Sequence, residues 1–181
     1  MSKKKILIII LINSFLIFLV GIRAEAKDMT IYNFVRLNKN FCTGGQPRVR
    51  ELVELKSTGT RSIINLRRPS EFNEVAQVTE AKRLGLRYYN IPVNSQSPKD
   101  EEVEEFLEIL SDPSNLPVFI HCASANRVGG FWMIRRVLVD GWGIKKAEAE
   151  ALRVGMKSPL IKNFARNYIQ KKIKIQGARL Q

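Results

Sequence analysis

One short stretch limits the folds open to this chain more than any other. The apolar run Leu116-Pro117-Val118-Phe119-Ile120 leads into His121-Cys122-Ala123-Ser124-Ala125-Asn126-Arg127 and then into an apolar-rich segment ending near Val139. The run has the length and branching of a buried strand, and Val128 to Val139 has the spacing of a helix, so Cys122 opens a strand-loop-helix turn. Upstream, Thr30 to Leu37, Asn40 to Thr43, Thr60 to Leu66 and Leu86 to Val93 read as strands. Helices are predicted over Val49 to Leu55, with Val49, Leu52, Val53 and Leu55 facing inward, and over Phe72 to Leu84, stopped by Gly85. An acidic helix follows Ser97-Pro98, with Ser97 as its cap and Val103, Phe106, Leu107 and Leu110 as its buried stripe. Two more are expected over Ile144 to Gly155 and Pro159 to Ile173. Strands alternating with helices predict an α/β fold: a single domain with a largely parallel sheet flanked by helices on both faces.

Loop amides that converge on one point form a nest, the following helix adds the positive end of its dipole, and a guanidinium grips two oxygens at once. Residues 122–127 therefore suit an oxyanion. The same field stabilises a thiolate, the reactive form of cysteine. Cys122 is the candidate nucleophile and Arg127 the candidate anion ligand, with Ala123, Ser124, Ala125 and Asn126 lining the cradle. In parallel sheets ligands bind beyond the carboxyl ends of the strands. Arg67 and Asn94 lie just past two such ends and are read as substrate contacts. His121 is either a support for the loop or simply a buried histidine. Gly129 and Gly130 are expected to let the helix start pack closely on the sheet, and Trp132 and Trp142 to anchor the core.

Residues 1–26 read as an export signal: Lys3-Lys4-Lys5, an apolar stretch from Ile6 to Val20, and Ala24-Glu25-Ala26 as the cleavage site. The apolar stretch is shorter than the roughly 20 residues a bilayer requires. Cleavage and release to the periplasm or the medium, with no permanent membrane span, is expected; an N-terminal membrane anchor is the alternative. The remaining 155 residues suffice for one domain. It is divided here into a catalytic region, 27–158, and a basic C-terminal helix and tail, 159–181, part of that domain or appended to it. The formal charge of +13 falls to +10 once the signal's three lysines, one arginine and one glutamate are gone. Lys162 to Arg179 carries six positive residues and no acid, which leaves open an anionic partner for the tail or a merely solvated helix end. Two cysteines, Cys42 and Cys122, make no disulfide framework, although an oxidising compartment would permit them to pair. A single histidine and the lack of CxxC or HxxxH spacing point to no metal and no cofactor.

Phe41 to Pro47 (FCTGGQP), Ile64-Asn65-Leu66-Arg67 with Glu71 after it, Tyr88 to Val93 (YYNIPV) and Pro117 to Gly130 (PVFIHCASANRVGG) carry a resemblance. Together they are similar to the small bacterial phosphatase-like domains of the tyrosine and dual-specificity phosphatase superfamily, the beta-lactamase-hydrolase-like group in particular. The resemblance covers roughly residues 31–155. It implies a phosphorylated substrate, attack by Cys122 on phosphorus to form a phosphocysteine, and phosphoryl binding by Arg127 and the amides of Ala123 to Arg127. His121 would orient the loop.

Three positions depart from that pattern. Four residues rather than the usual five separate Cys122 from Arg127, a loop length typical of rhodanese-like sulfurtransferases, whose cysteine carries a persulfide. Val128 stands where a Ser or Thr often helps the thiolate leave. Asn94-Ser95-Gln96 stands where many phosphatases carry an aspartate general acid, a group worth roughly 10²- to 10⁴-fold in rate. Asp100 or Glu101 is either a substitute acid or a dipole partner of the helix it opens. Esters with good leaving groups, such as aryl phosphates, suffer least from that loss. A rhodanese-like Asp-Arg strand followed by glycine-histidine-isoleucine is missing from the sequence. Phosphomonoester hydrolysis is the leading reading; sulfur transfer from a donor to a thiol acceptor through a Cys122 persulfide is the alternative, and a non-catalytic anion-binding module the third.

Overall fold

A computed structural model describes residues 29–178; the export signal read over 1–26 and the end of the basic tail lie outside the described residues. The strands are β1 (Val35–Arg36), β2 (Phe41–Gly44), β3 (Ser62–Asn65), β4 (Arg87–Asn90) and β5 (Val118–His121), in the sheet order β1-β2-β5-β3-β4. Only β1 runs antiparallel to its neighbour. The strand that ends at His121 is thus central, with Phe41 opposite Val118 on one side and Ser62 opposite Val118 on the other. A central parallel strand is covered on both faces, which is why its sequence is apolar without alternation.

The helices are α1 (Glu51–Ser57), α2 (Glu74–Arg83), α3 (Asp100–Ser111), α4 (Asn126–Leu138), α5 (Ile144–Val154) and α6 (Pro159–Ala178). Successive strand residues face opposite sides. Cys42, Ile63 and Phe119 join Leu52, Leu55 and Ala81 in a smaller cluster under α1 and α2. Ile64, Val118 and Ile120 join the larger cluster made with α3 to α6. Within the larger cluster α4 is buried on almost every side, and even its Arg136 is inside, bonded to Glu150 and stacked on Trp132 and Trp142.

Four expectations need correction. The first strand shrinks to Val35–Arg36, because residues 31–34 form a turn closed by Phe34 N–H on the Ile31 carbonyl. Helix α1 starts late, at Glu51, whose carboxylate accepts from the Arg48 amide at 2.7 Å; Leu52 and Leu55 are buried while Val49 and Val53 face out. Ser97 does not cap the acidic helix. Lys99 occupies that position, and its amide donates to Glu102 Oε2 at 2.9 Å, so Pro98 precedes the helix. Gly129 and Gly130 pack against the C-terminal helices rather than the sheet: a Cβ on Gly129 would lie 2.7 Å from the Ala151 carbonyl, and one on Gly130 would collide with Ile161.

Helix α6 covers α4 with Ile161, Ala165 and Ile169. Lys171 and Lys172 then reach Asp100 and Glu104 of α3 at 2.6 and 2.7 Å, while Lys162 and Arg166 pair with Glu148. Four of the positive residues read as a tail for an outside partner are therefore matched within the domain. None of the described helices is long and apolar enough to cross a membrane.

Candidate active site

The cysteine loop leaves β5 at its carboxyl end and turns into α4 through Ala125, which adopts the left-handed conformation at φ 66°. Three of its carbonyls are engaged. Gln46 N–H donates to Ala123 O at 3.1 Å, Asn33 Nδ2 to Ser124 O at 3.0 Å, and Gly129 N–H to Ala125 O at 2.9 Å. Gly45 bridges to Ser124, and a Cβ there would come 2.9 Å from the Ala123 carbonyl. That contact explains the Gly-Gly-Gln-Pro segment: only glycine lets the end of β2 run so close to the loop. On the other side Gly155, at φ +131°, presses against Ser124 O and Ala125 Cβ.

Arg127 lies in the first turn of α4, buried. Its Nη1 and Nη2 donate to the two oxygens of Glu71 at 2.9 and 2.7 Å, and Nη1 also donates to the Val93 carbonyl at 2.9 Å. Such bidentate pairing fixes the plane of the guanidinium. The Arg127 bonds, followed by those of Arg68, hold the Glu71 carboxyl down at about 2 despite its partial burial. For Arg127 burial opposes the charge, but Glu71 and Cys122 together more than offset it and the pKa lies above the ordinary value.

Arg67 is set by its own turn. Its N–H donates to Asn65 Oδ1, its carbonyl accepts from Asn90 Nδ2, and its side chain reaches Gln46 Oε1 at 2.9 Å and the Glu71 carbonyl. Arg68 Nε donates to Glu71 Oε1 at 3.1 Å. Three guanidiniums thus surround one carboxylate. The structure brings Cys122, Ala123, Ser124, Ala125, Arg127 and Arg67 to one end of the sheet.

Two predicted contacts are occupied otherwise. Asn94 Oδ1 accepts from Gln96 N–H and shapes its own turn. Asn126 Oδ1 accepts from the amides of Lys157 and Ser158 at 2.7 and 2.9 Å, tying the turn before α6 to the loop. Asp100 is paired with Lys171, and the carboxyl of Glu102, raised by burial, caps α3. His121 is fully buried, stacked on Phe119, with Nδ1 3.4 Å from the Cys122 carbonyl. Burial drives its pKa down to about 3, so it is neutral and not a base. Pairing of the two cysteines is ruled out by their placement: Cys42 sits opposite Phe119 in the smaller cluster, Cys122 lies beyond the end of β5 in the larger one, and both thiols are free.

Glu71, Gln46 and Asn33 belong to the site and escaped sequence reasoning as functional residues. For Glu71 a signal existed: it is the one acid close behind Arg67 and Arg68. For Gln46 the one signal was its place in the FCTGGQP stretch, and for Asn33 there was none, since their roles rest on contacts across 77 to 91 positions of chain.

Residues 21–142 match a family model described as DSP-PTPase phosphatase fused to NAD+ kinase. A beta-lactamase hydrolase-like protein of Xylella fastidiosa is 31% identical over 122 residues, 65% of this chain and 28% of that protein. The chain thus spans little more than a quarter of the curated relatives it matches. Among solved structures, the catalytic domain of the PP-IP phosphatase Siw14 from S. cerevisiae shares the fold at a TM-score of 0.65 and 22% identity, over 82% of this chain and 93% of that one. TpbA of P. aeruginosa does so at 0.63 and 21%, over 82% and 92%, and has also been solved with phosphotyrosine.

Proposed function

The chain belongs to the DSP-PTPase phosphatase family described as fused to NAD+ kinase, and on that premise we propose that it hydrolyses phosphomonoesters through a phosphocysteine at Cys122. The observation that carries this reading is the loop itself. With three of its carbonyls engaged and Arg127 held bidentate by Glu71 next to Cys122, the loop offers a fixed guanidinium and the start of α4 to an anion beside the thiol. Cys122 Sγ attacks phosphorus, the P–O bond to the leaving group breaks, and the departing oxyanion takes its proton from solvent. Water then attacks phosphorus, the S–P bond breaks, and inorganic phosphate leaves with the thiolate restored.

Residues 94–99 contain no carboxyl group, so leaving-group protonation is weak and aryl phosphates are the preferred class. The phosphotyrosine complex of TpbA supports the same class. The export signal read over residues 1–26 supports a site of action outside the cytoplasm.

Rapid acid quench of the mature protein with aryl phosphates, followed by peptide mapping, tests the proposal. Phosphate on Cys122, its loss in Cys122→Ser, and turnover rising steeply as the leaving-group pKa falls are expected. The four-residue spacing between Cys122 and Arg127 favours one competitor, sulfur transfer. A persulfide on Cys122 after thiosulfate, with no phosphoryl adduct, would replace the phosphatase reading; no adduct with either donor would leave an anion-binding module.

A further inference from the structure

Beside the cysteine loop, at the same end of the sheet, lies a cleft of about 450 Å³ between the segment preceding α1 and helix α2. Its apolar walls are Pro47, Val49, Phe72 and Ala76, and Gln46 and Arg67 form the edge nearest the loop. Gln46 belongs to both places. Its amide holds the Ala123 carbonyl, and its side chain accepts from Arg67 Nη1 at 2.9 Å. A group attached to a phosphoryl bound in the loop therefore passes Gln46 to enter the cleft.

The positive charges around this passage are not equally spent. Arg48 is paired with Glu51, and Arg127 with Glu71. Arg67 spends its hydrogen bonds on neutral acceptors, the Gln46 side chain and the Glu71 carbonyl, and makes only a longer ion pair, from its buried Nε to Glu71 Oε2 at 3.6 Å. Its guanidinium also lies 5.5 Å from the centre of the Phe72 ring. A cation whose hydrogen bonds go to neutral groups, at the rim of an apolar cleft with an aromatic wall, fits a flat group bearing its own negative charge.

We propose that this cleft is a leaving-group subsite that selects aryl phosphoesters carrying a second anion, a carboxylate or another phosphate, on the ring. Arg67 receives that anion and Phe72 supports the ring. The assignment rests on the phosphoester reading above, but binding tests it apart from turnover.

The measurement is calorimetric affinity of the mature Cys122→Ser protein for 3- and 4-carboxyphenyl phosphate, for the corresponding carbamoylphenyl phosphates, and for phenylene bisphosphates. A charge-assisted hydrogen bond predicts that the acids bind about tenfold tighter than the amides in at least one ring position. The bisphosphates report whether phosphate serves as well as carboxylate. Adding Arg67→Gln should bring the acid-to-amide ratio to about one. Phe72→Leu should weaken acids and amides alike and leave their ratio unchanged. Equal affinity of acids and amides in the parent overturns the subsite, and so does a ratio that survives Arg67→Gln; the parent ratio decides even where that variant does not fold. A ratio that holds while no phosphocysteine forms keeps the subsite and removes the catalytic reading.

Discussion

Glu71 gathers the guanidiniums of the loop's rim. It takes two bonds from Arg127 and two from Arg68, with Arg67 nearby, and its pKa is held to about 2. Arg127 is held by Glu71 and the Val93 carbonyl through Nη1 and Nη2 and interacts with Cys122 besides, so its orientation toward the loop is set by Glu71 and Val93. Glu71 is on this account a positioning residue. Glu71→Gln keeps the shape and one acceptor but loses the charge and the symmetric grip. Misplacement of a reacting group by about 1 Å can cost on the order of 10²-fold. The variant should lose aryl phosphatase kcat/KM on that scale and bind vanadate correspondingly worse at temperatures well below its melting point. A lowered Tm with unchanged vanadate affinity would reduce Glu71 to a purely structural ion pair.

At the level of elements, α4 decides how close its neighbours come. Gly129 meets the backbone of α5 and of Met156, whereas Gly130 meets the side chain of Ile161 on α6. The two contacts predict different repair. Gly130→Ala should cost about 1–3 kcal/mol, the usual range for overpacking, and less than that in an Ile161→Ala background, where the Cγ2 methyl it meets is gone. Gly129→Ala should be at least as costly and cost the same in that background, since it meets the Ala151 carbonyl and the Met156 backbone; equal relief of both, measured by denaturant melts, would refute the assignment. The strand-loop-helix unit and the sheet with helices on both faces were legible because their signals are local: an unbroken apolar run, a glycine stop, an acidic helix with an apolar stripe. Helix starts were displaced where a side chain from the first turn reached back to the chain before it, as Glu51 does to Arg48 and Glu102 to Lys99. Cys122 and Arg127 could be placed side by side from their spacing in one segment. Glu71's grip on Arg127 could not, because the two lie 56 positions apart and neither charge names its partner in a linear sequence.

The molecule as a whole carries two groups, one buried and one ion-paired, that tie its stability to acid. His121 is neutral in the folded state, with burial lowering its pKa from 6.5 to about 3. Between those values the unfolded chain binds a proton that the folded one refuses. Stability therefore falls as pH drops through that window, by at most about 1.4 kcal/mol per pH unit. Glu71, lowered from 4.5 to about 2, adds a loss of the same sign below pH 4.5 that is complete once its folded carboxylate protonates. His121→Asn should flatten the pH dependence of Tm between 6.5 and 4.5 and leave the lower part in place. Parallel slopes for parent and variant would show that the histidine is not the group responsible.

The turn before α6 has a consequence in time. Asn126 holds the amides of Lys157 and Ser158, Gly155 leans on Ser124 and Ala125, and Ile161 closes over Gly130. Those partners come about thirty residues or more after Cys122 in the chain. As the polypeptide emerges from its amino end, all five strands are synthesised before the clasp on the cysteine loop exists. The loop that carries Cys122 therefore reaches its outer support only once the chain has been made through the start of α6.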